Sequence, residues 1–257
     1  MENRPIDVGR ILGEVVSLYR AHAGPLLVLA AAVFLPVAFL GALLNGVDAL
    51  GAAIAAAVIS GPATFLYAGL AAPVVVAHRR GRPLPEPGDM LDFAQPVIWP
   101  LLLGGLMWLT GILAGIILLI VPGLILLTIW AVVAPAIALE RHSVINAFKR
   151  SRALVRGHGW QVFGIVLLLI VLLTVLALTM QAAGEAVGGI TGAFIAGWLA
   201  AVVLAPPEGL FVSILFLDLG GSAEPADRAE EERAEEEREE EHEEADDEDE
   251  ESAERAP

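Results

Sequence analysis

The sequence predicts an all-α polytopic membrane protein: six transmembrane helices, short amphipathic interfacial helices, and an acidic tail that is helical in part and disordered beyond. Three observations carry this expectation. Apolar residues make up 56% of the 257 residues and mean hydropathy is +0.70, above the roughly 45–50% apolar content of soluble domains. Six apolar runs approach or exceed the roughly 20 residues that a helix needs to cross about 30 Å of hydrocarbon. Lys and Arg gather in alternate connections between those runs and are missing from the others.

The elements follow in order. Residues 1–25 form a cytoplasmic amphipathic helix, because Val8, Ile11, Leu12, Val15, Val16 and Tyr19 recur at helical spacing. A cleavable signal is not expected, since Glu2, Asp7 and Glu14 occupy what would be its positive region. The membrane domain covers 26–219, with spans at about 26–47, 51–77, 99–121, 124–139, 162–183 and 190–217. The second is long enough to tilt or to break at Gly61-Pro62, and Pro122-Gly123 is read as the tight turn between the third and fourth. Residues 220–257 are an acidic cytoplasmic tail. Of thirty-one acidic residues, twenty follow Ser222, so the net charge of −16 belongs to the tail and not to the body.

Direction comes from the cations. Arg4, Arg10 and Arg20 precede the first span; Arg79, Arg80 and Arg82 follow the second; Arg141, Lys149, Arg150, Arg152 and Arg156 follow the fourth. The opposite connections have none. Under the positive-inside rule, this places both termini in the cytoplasm of a multi-pass protein of the cell inner (plasma) membrane. Trp99 and Trp160 stand at expected water–lipid boundaries.

In the last of these loops Val144, Ile145, Phe148, Ser151 and Val155 share one helical face, opposite Lys149, Arg150, Arg152 and Arg156. A short helix lying in the interface would bring Arg141, Lys149, Arg150, Arg152, Arg156 and Trp160 to anionic lipid headgroups. The same charges also serve as bare topology signals. The segment ends Leu154-Val-Arg156-Gly-His158, matching Leu18-Tyr-Arg20-Ala-His22 at an offset of 136. Met90 to Ala94 is a weaker version, and Ala-Pro recurs in the even spans at Pro73, Pro135 and Pro206. Three units are expected, each an interfacial helix feeding a transmembrane hairpin.

Reactive groups are sparse. The chain has no cysteine, which excludes thiolate metal sites, disulfides and a Cys nucleophile. No HExxH, Ser elbow, Walker loop or GxGxxG is present, so no catalytic residue, cofactor or metal is expected and the chain reads as a non-enzyme. Glu208 is the unusual position, about 15 Å before Asp218 if the helix is unbroken, inside the last span. Pro206-Pro207 beside it points to a broken helix and an ion or proton site; alternatively the span ends near Leu204. Gly184, Gly188 and Gly192, and Gly111 with Gly115, have the spacing of close helix approach and leave dimerisation open.

The run VPGLILLTIWAVVAPAIALERHSVINAFKRSRALVRGHGWQVFGI, residues 121–165, resembles the membrane domain attached to some bacterial glycerophosphoryl diester phosphodiesterases and its stand-alone, uncharacterised relatives. The matching features are Pro122-Gly123, Pro135, Glu140, the helix 147–154 and the Gly-aromatic step 157–160. The ending Leu215-Phe216-Leu217-Asp218-Leu219 is similar too, though Gly220 stands where that family has Arg. The resemblance implies a six-helix membrane domain without the hydrolase barrel, and no catalytic residue carries over.

The expected function is that of a lipid-contacting scaffold or accessory membrane subunit. The alternative is a small transporter or permease component that uses Glu208 as an intramembrane carboxylate, with a membrane-embedded lipid enzyme third. Expected partners are membrane lipids with anionic headgroups; a homo-oligomer or protein partner stays open, and nucleic acid is not expected.

Overall fold

The computed structural model describes residues 7–43, 49–83 and 87–223. The acidic tail beyond Ala223, including the helix expected near 226–244, lies outside the described residues, as does Arg4. Seven helices and no strand occur among the described residues: α1 (Val8–Leu43), α2 (Ala49–Arg79), α3 (Pro87–Leu118), α4 (Ile120–Ile129), α5 (Val133–Glu140), α6 (Val144–Val155) and α7 (Gly159–Asp218). Six stretches are long and apolar enough to cross a membrane: Val8–Gly41, Val58–Arg79, Asp92–Leu118, Ile120–Glu140, Gly159–Gly189 and Thr191–Asp218. The protein is an all-α polytopic membrane protein.

Helix α1 bends at His22, whose φ of −129° and ψ of 28° interrupt the helical backbone. The cause is Pro25, which has no N–H to give to residue 21 and whose ring crowds that carbonyl. The first arm buries Ile11, Val15 and Leu18; the second buries Leu26, Ala30 and Phe34. Ala30 and Phe34 meet Ala63, Tyr67 and Ala71 of α2 and Val202 and Ala205 of α7 in one core cluster. Small side chains dominate that contact and let the three helices approach closely.

Helix α3 begins directly at Pro87, and Phe93 and Ala94 are buried within it. The separate interfacial helix expected at Met90 to Ala94 is therefore not formed; these residues are the opening turns of the third span. The turn into α4 also differs from expectation. The chain reverses at Leu119, in extended backbone (φ −167°, ψ 138°), and Pro122 and Gly123 lie in the first turn of α4. Proline is favourable there because the first amides of a helix have no intrahelical acceptor. Gly123 serves packing: a Cβ on Gly115 would fall 2.9 Å from its Cα.

The expected single span 124–139 is two helices, with a break at residues 130–132 between α4 and α5. Every residue of α5 is buried. Helix α7 turns back at Gly189, whose φ of 59° and ψ of −143° suit only glycine. The two arms touch through the backbones of Gly184 and Gly192, and Gly111 faces Trp130. Gly184, Gly192, Gly111 and Gly115 are thus packed within the chain, whereas Gly188 is exposed. The second arm stays helical through Pro206-Pro207 to Asp218, so the helix is not broken there and does not end near Leu204. Tyr19 explains how: its hydroxyl donates to the Val203 carbonyl at 3.3 Å, the group that Pro207 cannot serve.

Candidate functional site

The charged ends of the helices converge. Arg79, in the last turn of α2, sets its Nε 2.6 Å from Glu14 Oε1 and its Nη2 2.9 Å from Asp218 Oδ1. Arg10 adds a contact to Glu14 at 3.2 Å and a second to Asp218. The first arm of α1 is thereby tied to the ends of α2 and α7. Two glycines finish those helices. Gly81 (φ 64°) and Gly220 (φ 91°) take the left-handed conformation, and the amides of Arg82 and Gly221 reach back to Ala77 and Phe216 at 3.0 and 2.9 Å. This double-bonded ending satisfies carbonyls that a helix otherwise leaves open.

A second cluster is built around Glu140, the last residue of α5, whose side chain is only 4% exposed. Arg150 grips it from α6 with Nε at 2.8 Å and Nη2 at 2.9 Å. His142 Nε2 lies 2.9 Å away, and the Ser222 amide donates to Glu140 at 3.1 Å. Arg150 also donates to the Gly220 carbonyl at 3.3 Å. The hydrogen bonds it donates to Glu140 hold the Arg150 guanidinium above the ordinary arginine pKa. Two planar groups paired in this way form strong, directional bonds.

Helix α6 is fastened from below as well. Ser151, with no exposed surface, donates to the Ile129 carbonyl at 2.8 Å and accepts from the Val132 amide at 3.3 Å. It closes the break between α4 and α5. Phe148 meets the Trp130 ring edge-on, centroids 4.8 Å apart.

The buried face of α6 is Ala147, Ser151, Leu154 and Val155; it shares Ser151 and Val155 with the face read in the sequence but is turned so that Ile145 is exposed. The reason is that Ser151 and Arg150 have fixed partners, which set the rotation of the helix more tightly than its apolar residues do. Of the candidate headgroup contacts, Lys149, Arg152, Arg156 and Trp160 lie outward, Trp160 at 86% exposure. Arg150 is committed to Glu140, and Arg141 stacks on Phe93 at 4.9 Å from the ring centroid. Sequence reasoning missed Glu140 and Ser151 as structural partners. A serine on the apolar face of a short helix, and an acid closing an apolar run, were the available signals.

Glu208 lies apart from both clusters, on the second arm of α7. It sits deep among the helices, yet part of the residue remains accessible. No group of three or more His, Cys, Asp or Glu side chains suited to a metal occurs among the described residues.

The family described as "Domain of unknown function (DUF7847)" matches residues 93–217. The matched stretch is similar to that family and takes in Glu140, Arg150, Ser151 and Glu208, while Glu14 and Arg79 lie before it. No curated protein and no solved structure matches the chain.

Proposed function

We propose that the protein is a lipid-contacting scaffold or accessory subunit of the cell inner membrane, with its cationic helix ends in the cytoplasm and anionic headgroups bound along α6. The observation that carries this reading is the division of α6. One face is buried against the ends of the spans, and Lys149, Arg152 and Arg156 lie on the other, next to exposed Trp160. Positive charge on an interfacial helix attracts an anionic leaflet at about 1 kcal/mol per side chain. Three such cations account for about 3 kcal/mol, or roughly a hundredfold preference over neutral lipid.

Likeness to the membrane domain of glycerophosphoryl diester phosphodiesterases supports the same reading, a lipid-facing module separable from any hydrolase. The test is native mass spectrometry of the full chain in nanodiscs of mixed phosphatidylglycerol and phosphatidylcholine. Wild type should retain phosphatidylglycerol selectively, and the variant K149E/R152E/R156E should lose that selectivity. Unchanged lipid retention would reduce these cations to topology signals and remove the proposed function.

A further inference from the structure

Glu208 is the one chemically distinctive group that lipid contact does not use. Its depth is fixed by the continuity of α7. The stretch Thr191–Asp218 has 28 residues, about 42 Å of helix at 1.5 Å per residue, against about 30 Å of hydrocarbon. Glu208 lies ten residues before Asp218, about 15 Å along the axis. Even if the whole excess of about 12 Å overhung at the Asp218 end, the carboxyl would still be inside the hydrocarbon layer.

Among the described residues most other carboxylates have partners. Asp7 accepts the Arg10 amide; Glu14 and Asp218 are held by Arg10 and Arg79, and Glu140 by Arg150. Asp92 is engaged as well. Glu185 stands exposed in the turn-side end of the first arm of α7. Only Glu208 combines depth with the absence of any hydrogen bond or ion pair to a described residue.

The surroundings offer no counter-charge. On α2 the ring of Tyr67 lies against Gly209, 3.1 Å from where a Cβ would be, but its hydroxyl is given to the Leu26 carbonyl. On α1 the Tyr19 hydroxyl is given to Val203. Helix α4 has no titratable side chain and α5 only Glu140, already taken. Of the remaining charged groups on these helices, Arg10, Glu14 and Arg79 are tied together around Asp218 and Arg150 meets Glu140 and Gly220 at that same end; Arg20, His22, His78, Lys149 and Arg152 make no hydrogen bond or ion pair to Glu208. An isolated carboxylate is costly in hydrocarbon, by at least about 2.5 kcal/mol on insertion scales. Such groups usually face a bundle interior or a wet cavity and are neutralised there by a bound cation or a proton.

We propose that Glu208 is the ligand of a monovalent-cation site within the helix bundle, its carboxyl neutralised by a proton or an alkali-metal cation. A hydrophobic carbodiimide, which attacks protonated carboxyls in apolar surroundings, tests this on the full-length protein in detergent and in liposomes. Dicyclohexylcarbodiimide should place one reagent adduct on the Glu208 peptide, read by mass spectrometry, and E208Q should lose it. If the ligand is an alkali cation, added sodium or potassium at fixed pH should slow labelling. If it is a proton, those salts should have no effect and the rate should fall about tenfold per pH unit above the titration point. No adduct on Glu208 of the wild-type protein, or a rate indifferent to both pH and salt, overturns the proposal; neither result depends on a variant that must fold.

Discussion

Replacing Ser151 by Ala should destabilise the membrane domain far more than the loss of one hydroxyl from a surface helix. The side chain has no exposed surface, and its oxygen serves two backbone groups at once. Around the break, Val133 bonds weakly to Trp130 at 3.5 Å and Ala131 to Thr128 at 3.3 Å, so neither the Ile129 carbonyl nor the Val132 amide has a ready substitute. A buried backbone group left without a partner costs about 1–3 kcal/mol. With one good bond and one long one lost, the expected penalty is about 2–3 kcal/mol. Typical interhelical bonds in membranes contribute only about 0.6 kcal/mol because their groups find other partners; the fixed break denies that escape. Reversible unfolding by SDS, followed by far-UV circular dichroism, measures the difference. Ser17→Ala is the control, since that hydroxyl bonds only the Glu14 carbonyl on an exposed turn. If S151A lies within about 0.5 kcal/mol of S17A, the hydroxyl does not hold the break and the reasoning is refuted.

Two further outcomes use the same assay. Arg150→Ala should cost more than Glu140→Gln, because removing the arginine leaves a carboxylate that is 4% exposed with only His142 and the Ser222 amide, whereas Arg150, at 35%, can turn to water; about 3 kcal/mol against about 1–2 is expected, and the reverse order would discard the pairing argument. Gly220→Ala should cost about 1–2 kcal/mol because φ there is 91°, and Gly220→Arg more, since it also sets a cation beside Arg150; an Arg variant as stable as wild type would be inconsistent with that ending of α7.

Much of the architecture was legible because hydrocarbon imposes a simple rule on sequence: long apolar runs, polar ends. The spans, the alternation of cations and the outward Trp99 and Trp160 all follow from it. What escaped was local. Pro122-Gly123 looks like a turn in any solvent, but proline in a first helical turn and glycine at a close crossing are equally natural, and only packing against Gly115 decides. Pro206-Pro207 looks like a break until Tyr19, far away in the chain, supplies the missing donor. The rotation of α6 was misread in part because Ile145 fits the apolar spacing as well as Ala147 and Leu154 do, and nothing local pairs Arg150 with Glu140. The departure at Gly220 gains a reason from the structure: a left-handed residue ends α7 and offers its carbonyl to Arg150.

The bend inside α1 and the junction between α6 and α7 carry the same construction. At an offset of 136, buried Ile11, Val15 and Leu18 correspond to buried Ala147, Ser151 and Leu154. His22 and His158, at the matching bends, have nearly the same backbone angles, −129° and 28° against −115° and 10°. The charges, however, are reversed. Glu14 of α1 meets Arg79 at the end of α2, whereas its counterpart Arg150 of α6 meets Glu140 at the end of α5. Exchanging the two helices would set Arg150 against Arg79 and Glu14 against Glu140, like charges at partly buried positions. Repulsion of that kind excludes the wrong partner without strengthening the right one. Two similar helices can therefore dock at one end of one bundle, each in its own place, because the sign at a single matched position differs.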